Sequence, residues 1–402
     1  MSAKTDTALE CKRAVERLLL YCRSEQWSGY DPYDGLNSPF SGLPPLKNKL
    51  GRTAWIQLVK RCPVNIRPAL GIKKGLNAKG VALALRAVIL LSDGTGEALP
   101  SVDGRLERDF QFLTRSLAAL RNDDYKEACW GYNFDWQSRA FFAPRGTPNV
   151  VCTVFAAHAY LDWFERTGNQ YAFEMALSSC RFLLDRINRG RGPEGFCFSY
   201  TPLDRSRVHN VNLLAAELLA RAHSFEPNDE FKDAAAGAAR YTVSKQGEDG
   251  SWPYGESPDQ QWVDSFHTGF ILVSLGNLIK DLGAFEWENN LERGFDFYRG
   301  RFFLADFTPK YYHDRLYPID VHSAAQSVIT FSEMNRRFPG STEMAAGAVR
   351  WAIENLQSPQ GYFYYQRRRL YTNRIPYIRW AQCWMLYALS LHLSRIILSE
   401  HG

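Results

Sequence analysis

A two-helix unit recurs along this chain, and that repetition limits the fold more than any single motif does. In each unit a mixed, amphipathic helix leads into a loop rich in Gly, Trp and Tyr. A more apolar helix follows, opening on Asp, His or Asn. Five loops are clear: CWGYNFDWQSR (129–139), GPEGFCFSYTPLD (192–204), EDGSWPYGE (248–256), PKYYHDRLYPID (309–320) and PQGYFYYQRRRLYTNRIPYIRW (359–380). WSGYDPYDGLNS (27–38) has the same character, and GIKKGLNAKG (71–80) leads into another apolar helix. The loop centres lie roughly 50–60 residues apart, the length of two helices and their connections.

The second helix of each unit is apolar on most sides. In 266–279, for example, Phe266, Phe270, Ile271, Leu275, Leu278 and Ile279 dominate. A helix of that kind belongs inside, and the mixed first helices belong outside. Inner helices are predicted near 76–92, 150–166, 208–223, 264–282, 320–337 and 376–394. Six inner and six outer helices alternating along the chain make an all-α (α/α)6 toroid. The expected layout is a single domain over 1–402, with an N-terminal helix in 1–26 and the toroid core in about 27–394. Period-two strand patterns are almost absent, although FCFSY and YFYYQ can pair locally.

Composition excludes several classes. The net charge is only +5, and the longest basic run is Arg367-Arg368-Arg369, so nucleic acid is not an expected partner. No apolar stretch approaches a membrane span, and the first 22 residues lack the apolar centre of a signal peptide, so membrane insertion and export are not expected. The eight Cys are scattered, with no metal-type spacing. They read as buried free thiols of a cytoplasmic protein. No metal set, phosphate loop, dinucleotide fingerprint or nucleophile elbow is present, and no cofactor is expected.

In such a toroid every outer-to-inner loop falls at one end, and the inner-helix N-termini point into the same funnel. Aromatic rings there suit the apolar faces of sugars, and helix N-termini attract anionic groups. A saccharide is the expected partner, and the mild positive excess suits an acidic one. Candidate binding residues are Tyr30 and Asp31 in the first loop and Asn133, Trp136 and Arg139 in the next. Tyr200, His209 and Asn210 follow in the third, then Trp252, Tyr254 and Tyr312. Arg379, Trp380 and Gln382 come from the last unit. Candidate catalytic residues are His267, His322, Asp264, Asp320 and Asp135. Each also has a structural reading. Asp264 and Asp320 stand where N-caps belong, and Trp252 and Tyr254 can wedge between helices.

Two chemistries compete. A glycosidase needs two carboxylates across the scissile bond, which Asp135 with Asp264 or Asp320 would supply. A uronate epimerase or lyase must instead neutralise a carboxylate and remove the neighbouring proton with His or Tyr. Because the loops hold more His, Tyr, Asn and Arg than Glu, proton transfer is favoured. His267 and His322 are then the acid/base candidates, Arg139 or Arg379 the anion holders, and Trp136, Trp252 and Tyr312 the stacking platforms. A non-catalytic glycan-binding or scaffold protein is the rival from another class.

GYDPYDGLNS, GYNFDWQSRAFF, FSYTPLDRSRVHNVNLL, DGSWPYGE with WVDSFHTGFIL, KYYHDRLYPIDVHSAAQ and PYIRWAQCWMLYAL resemble bacterial polysaccharide-biosynthesis proteins of the VpsJ type. Related sequences are often labelled delta-aminolevulinic acid dehydratase. That enzyme is an (α/β)8 barrel with a catalytic Lys pair, and this chain has neither pattern. The resemblance spans about 27–394. It implies an (α/α)6 toroid, a role in exopolysaccharide or capsule assembly, and association with enzymes of that assembly. The layout is more distantly similar to toroids of N-acylglucosamine epimerases, uronate lyases and unsaturated glucuronyl hydrolases. GSWPY is also similar to the Gly-Trp turns of terpenoid cyclases, without their acidic clusters.

Overall fold

The computed structural model describes residues 3–94, 103–139 and 141–400. Helix α1 (Ala3–Ser24) and the shorter α2 (Lys49–Arg61) come first. The alternation then runs through α3 (Ala78–Gly94), α4 (Asp103–Ala119), α5 (Val150–Thr167), α6 (Gln170–Arg186) and α7 (His209–Phe225). It continues through α8 (Asp229–Val243), α9 (Ser265–Leu282), α10 (Glu288–Arg301), α11 (Val321–Met334), α12 (Ser341–Leu356) and α13 (Cys383–Glu400). Helices α3, α5, α7, α9, α11 and α13 pack in that order side by side, and α13 returns to α3. Helices α4, α6, α8, α10 and α12 cover the outside of the inner helix that precedes each one, and α1 takes the same place behind α13. This is the (α/α)6 toroid.

The patterns explain the two rings. Every residue of α5 from Val150 to Leu161 is buried, as an inner helix flanked on all sides requires. Outer α8 buries one face, which includes Phe231, Ala234, Ala235, Ala238 and Tyr241, and exposes Lys232, Asp233 and Arg240. Inner-to-outer turns are short; Gly168 and Gly283 end α5 and α9 in the left-handed conformation (φ +66° in both). The outer-to-inner connections are long and all lie at one end. The eight cysteines are unpaired, and seven are buried. Among the described residues no helix is long and apolar enough to cross a membrane.

Small antiparallel pieces brace the loops. Strand β1 (Trp136–Gln137) pairs with β2 (Phe142–Ala143), and β3 (Arg189–Gly192) with β4 (Gly195–Phe198). Strand β5 (Ile319–Asp320) pairs with β6 (Gln366–Arg367), which pairs with β7 (Thr372–Asn373). FCFSY thus forms most of β4, whereas YFYYQ contributes only Gln366 to a strand.

Two of the loops each also drop a Trp ring into the seam between helices. Trp130 Nε1 donates to the Leu117 carbonyl of α4 (2.8 Å), and Trp252 Nε1 to the Thr242 carbonyl of α8 (2.9 Å). Gly294 makes room for the second of these: a Cβ there would meet Trp252 Cζ3 at 2.6 Å. Inner helices hold the wedges by polar side chains. Asn212 Oδ1 accepts from the Phe198 amide (2.8 Å) and Gln382 Oε1 from the Phe363 amide (2.7 Å).

Deeper in the ring, Asp162 of α5 accepts from Arg86 of α3 and from Arg221 of α7, both at 2.6 Å. Burial alone would raise the Asp162 carboxyl, but the two guanidiniums outweigh it and hold it at about 2. With an unfolded value near 3.9, this pair contributes stability that is complete above about pH 4 and lost as pH falls towards 2. Asp162→Ala should cost about 3–5 kcal/mol, since it strips Arg86 of its carboxylate in a buried setting. Urea titrations of both proteins at neutral pH and below pH 4 would check this. The difference between them should shrink in acid.

Candidate active site

The long loops and inner-helix N-termini enclose a cavity of about 600 Å³. That lies within the roughly 300–1,000 Å³ typical of ligand clefts. Aromatic rings form much of its wall. Trp262 stacks on Tyr254 with centroids 4.5 Å apart and planes at 14°, and the Arg139 guanidinium sits 4.7 Å over Trp262. Across the cavity wall Tyr132 and Tyr200 share a hydroxyl hydrogen bond of 2.9 Å, and Trp136 leans on Tyr200 at 5.1 Å. Burial pushes both phenols upward, so they stay protonated.

Two histidines face this space from the first turns of α9 and α11. His267 Nδ1 lies 2.7 Å from Asp264 Oδ2, and Trp262 Nε1 donates to the same oxygen (2.8 Å). Asp264 Oδ1 accepts from the His267 amide (3.0 Å), which is the N-cap bond. A carboxylate only accepts, so Nδ1 carries a proton and Nε2 is left as the free ring nitrogen. His322 is arranged alike. Its Nδ1 lies 3.0 Å from the Trp380 carbonyl, so it donates there too. Its ring is packed between Trp384 (4.7 Å, 13°) and Trp380 (4.4 Å, 30°). Burial, followed by the charge of Lys79, holds the His322 imidazole well below the usual range, so it is neutral and Nε2 carries a lone pair. Phe266 separates the two histidines, 4.1 Å from His267 and 4.9 Å from His322.

The charge of the wall is one-sided. Lys60, Arg61, Lys79, Arg139, Arg368 and Arg379 reach it, and among the described residues no carboxylate does. Arg379 is held by two bonds to Asp31, at 2.6 and 2.8 Å. It sits in a π turn (Ile378–Gln382), whose extra residue turns both Arg379 and Trp380 towards the cavity. Lys79 stands in the first turn of α3, where Asn77 Oδ1 caps the helix by accepting from the Lys79 amide (3.1 Å). Only 4% of it is exposed. Its Nζ faces rings alone, 4.3 Å from the centroid of Trp384 and 4.5 Å from that of Phe155. Burial, followed by the Arg379 charge, pushes its ammonium well below the usual lysine range.

Among the residues singled out in the sequence, the structure brings His267, His322, Trp136, Arg139, Tyr200, Asn210, Tyr254, Tyr312, Arg379 and Trp380 to the cavity wall. The others lie off it. Asp264 caps α9 and orients His267. Asp320, fully buried, accepts from the His322 amide (2.9 Å), Trp380 Nε1 (2.9 Å) and Gln366 Nε2 (2.8 Å). Both are therefore supports behind the wall rather than reacting carboxylates. Asp135 accepts from the Arg145 amide (2.7 Å) and is also off the wall. Asp31 is spent on Arg379. Asn133 Oδ1 accepts from Asn77 (2.8 Å), and the Tyr30 carbonyl accepts from the Ile378 amide (3.1 Å). Trp252 and Gln382 belong to the seam wedges described above. His209 is buried away from the cavity, and burial pushes its pKa down to about 4.

Lys79, Trp262, Lys60, Arg61 and Arg368 are wall residues that sequence reasoning missed. For Lys79 a signal was available. Asn77 opens α3 as Asn149, Asp264 and Asp320 open their inner helices, which places Lys79 in a mouth-facing first turn. Among the described residues no group of three or more His, Cys, Asp or Glu is placed to hold a metal ion.

No family model and no curated protein matches the sequence. The fold is similar to that of a cellobiose 2-epimerase from Bacillus thermoamylovorans, with a TM-score of 0.62 and 12% identity over 81% of this chain and 88% of that one. A glycoside hydrolase family 76 mannosidase from Bacteroides thetaiotaomicron matches with a TM-score of 0.61 and 12% identity over 100% of this chain and 99% of that one. An unsaturated glucuronyl hydrolase specific for heparin matches with a TM-score of 0.59 and 13% identity over 96% of each. At these identities the likeness is one of fold: the chain shares the (α/α)6 toroid with epimerases and glycoside hydrolases.

Proposed function

We propose that this protein is a carbohydrate-active enzyme that moves a proton at a sugar carbon, as an epimerase or a lyase. The whole chain acts as one domain in a reducing compartment. The observation that carries the reading is the pair of imidazoles. Each has Nδ1 tied down and Nε2 free at one cavity, in a wall that no carboxylate among the described residues reaches. His322, neutral and desolvated, is the base that takes the proton through Nε2. His267 is the acid, because Asp264 holds its Nδ1 and so fixes its ring with Nε2 towards the cavity. An epimerase returns the proton to the opposite face of the carbon. A lyase delivers it to the leaving oxygen. Trp136, Trp262 and Tyr312 serve as stacking platforms.

The substrate is an acidic sugar, and Lys79 with Arg379 holds its carboxylate. A carboxylate between these cations both removes the cost of an unpaired buried amine and acidifies the neighbouring C–H. The fold shared with a cellobiose 2-epimerase and a glucuronyl hydrolase is compatible with either part of the reading. The exopolysaccharide setting, and association with other enzymes of polymer assembly, rest on the sequence resemblance to the VpsJ type. A hydrolase acting through an Asp pair is less favoured, since Asp135, Asp264 and Asp320 all stand off the wall.

Incubating uronate-containing oligosaccharides with the protein in deuterated water should place deuterium at the carbon next to the carboxylate, read by NMR. His267→Ala and His322→Ala should each lower the labelling rate by about 10²–10⁴. New reducing ends without label would mean hydrolysis, and binding without any conversion would mean a glycan-binding protein.

Binding of D-glucuronate, compared with D-glucose, tests the floor cations. The carboxylate favours the charged form of Lys79, so calorimetry in buffers of different ionisation enthalpy should show net proton uptake approaching about one per site. The affinity for glucuronate should accordingly fall as pH rises, by at most about tenfold per pH unit. Lys79→Met should abolish the uptake and the preference for glucuronate, while raising the melting temperature because a buried amine is gone.

A further inference from the structure

Two long stretches of the sequence contain no carboxylate at all. Residues 35–92 hold ten Lys and Arg without one Asp or Glu, and residues 355–399 hold six without one. The remainder of the chain is therefore net negative, since the whole carries only +5. The fold joins the surface parts of both stretches. The Tyr371 hydroxyl donates to the Arg61 carbonyl (3.2 Å) and the Asn373 amide group to the Cys62 carbonyl (3.1 Å). The β6–β7 hairpin thus lies against the C-terminal end of α2. The N-terminal end of α2 rests on the preceding turn so closely that a Cβ at Gly51 would lie 1.8 Å from the Pro45 carbonyl oxygen.

This continuous face carries aliphatic side chains that the fold leaves bare. Leu50 is 81% exposed, Val64 67%, Leu58 58%, Leu43 53% and Leu370 91%. Leu50, Ala54 and Leu58 follow at four-residue steps on one flank of α2, while Ile56 and Val59 are buried on the other. Lys47, Lys49, Arg61 and Arg369 are exposed among them. The same segment borders the candidate active site, because Gln57, Lys60, Arg61 and Arg368 line its mouth.

We propose that this rim docks on an anionic bilayer surface, with the cavity opening towards the membrane. The leucines enter the headgroup layer, and the lysines and arginines lie at the level of the phosphates. The docking is peripheral. Charge complementarity selects this occupant, and the aliphatics narrow it further. A soluble polyanion is met by cations and ring faces and would leave five protruding aliphatic side chains in water. The buried centre of a protein interface is poor in lysine and seats its aliphatics in pockets. Separate aliphatics standing out from segments that hold Lys and Arg and no acids have the composition of an interfacial anchor. Acidic sugars carried on the membrane would then meet the cavity without leaving the surface.

Cosedimentation of the full chain with vesicles tests this, using phosphatidylcholine alone and phosphatidylcholine with about one third phosphatidylglycerol. Binding is expected only to the anionic vesicles, and it should weaken as salt is raised. The double variant L50E/L58E, and separately Leu370→Glu, should each reduce it tenfold or more. All three positions are exposed, so circular dichroism and the melting temperature should stay unchanged. No preference for anionic vesicles would overturn the proposal. Binding that survives both sets of leucine substitutions and is displaced by a soluble acidic polysaccharide would also overturn it, and would make the rim a polyanion site. The outcome does not depend on the proton-transfer reading, since no turnover is measured.

Discussion

Six helices that are apolar on nearly every side cannot stand in an open row, because the two end helices would each present a bare apolar flank to water. Packing α13 against α3 removes both flanks at once. Closure therefore comes before everything else in this structure. It sets the number of units, it puts every inner N-terminus around one axis, and it leaves a space in the middle that the loops must roof. The seam itself is fastened at the mouth by Arg379 and Asp31, whose partners sit 348 residues apart in sequence. The Arg379 guanidinium, which lines the cavity, is thus also a part of the lock that closes the ring.

The ring makes its two ends unequal. At the far end short turns suffice, and buried groups such as Asp162 between Arg86 and Arg221 fill the centre. At the mouth each inner helix begins with unpaired amides that need acceptors. Asn77, Asn149, Asp264 and Asp320 provide them in four of the six. A carboxylate used in this way has lone pairs to spare, and it spends them on its neighbours. Asp264 orients His267 and Trp262, and Asp320 fixes Trp380, whose carbonyl in turn sets the tautomer of His322. Capping a helix and holding the cavity wall are therefore not alternatives for these two positions. The caps hold the groups that face the cavity.

This explains what the sequence made legible. Inner-helix positions were readable because all-round apolarity and a polar opener are local signals; 150–166 against Val150–Thr167 and 264–282 against Ser265–Leu282 differ by a residue. Which end of a side chain meets the cavity is not local. Trp252 and Trp262 both lie in aromatic loop sequence ten residues apart, yet one fills a seam beside Gly294 and the other stacks on the wall. The difference lies in a glycine 42 residues further on. Gln382 reads as a binding residue until the Phe363 backbone is known to take its amide. Lys79 was overlooked for the opposite reason. A lysine at a helix start looks like a solvated charge, and only closure of the ring encloses it among Phe155, Phe270 and Trp384.

Enclosure also couples the groups of the site to one another. Lys79 and Arg379 both disfavour the protonated form of His322, and Arg379 disfavours the protonated form of Lys79. Positive charge is crowded there, so the amine and the imidazole compete for few protons. An anion seated between Lys79 and Arg379 reverses the balance. It stabilises the ammonium, and the proton gained at Lys79 offsets at His322 the charge that the anion brings. On the proposed reading the substrate's own charge thus acts at Lys79 and Arg379, and a neutral sugar in the same cavity would bring no such charge. Such a site needs no carboxylate of its own. On the proposed reading, the negative charge that a hydrolase builds into its walls is brought in by the ligand, and the cations of the wall receive it.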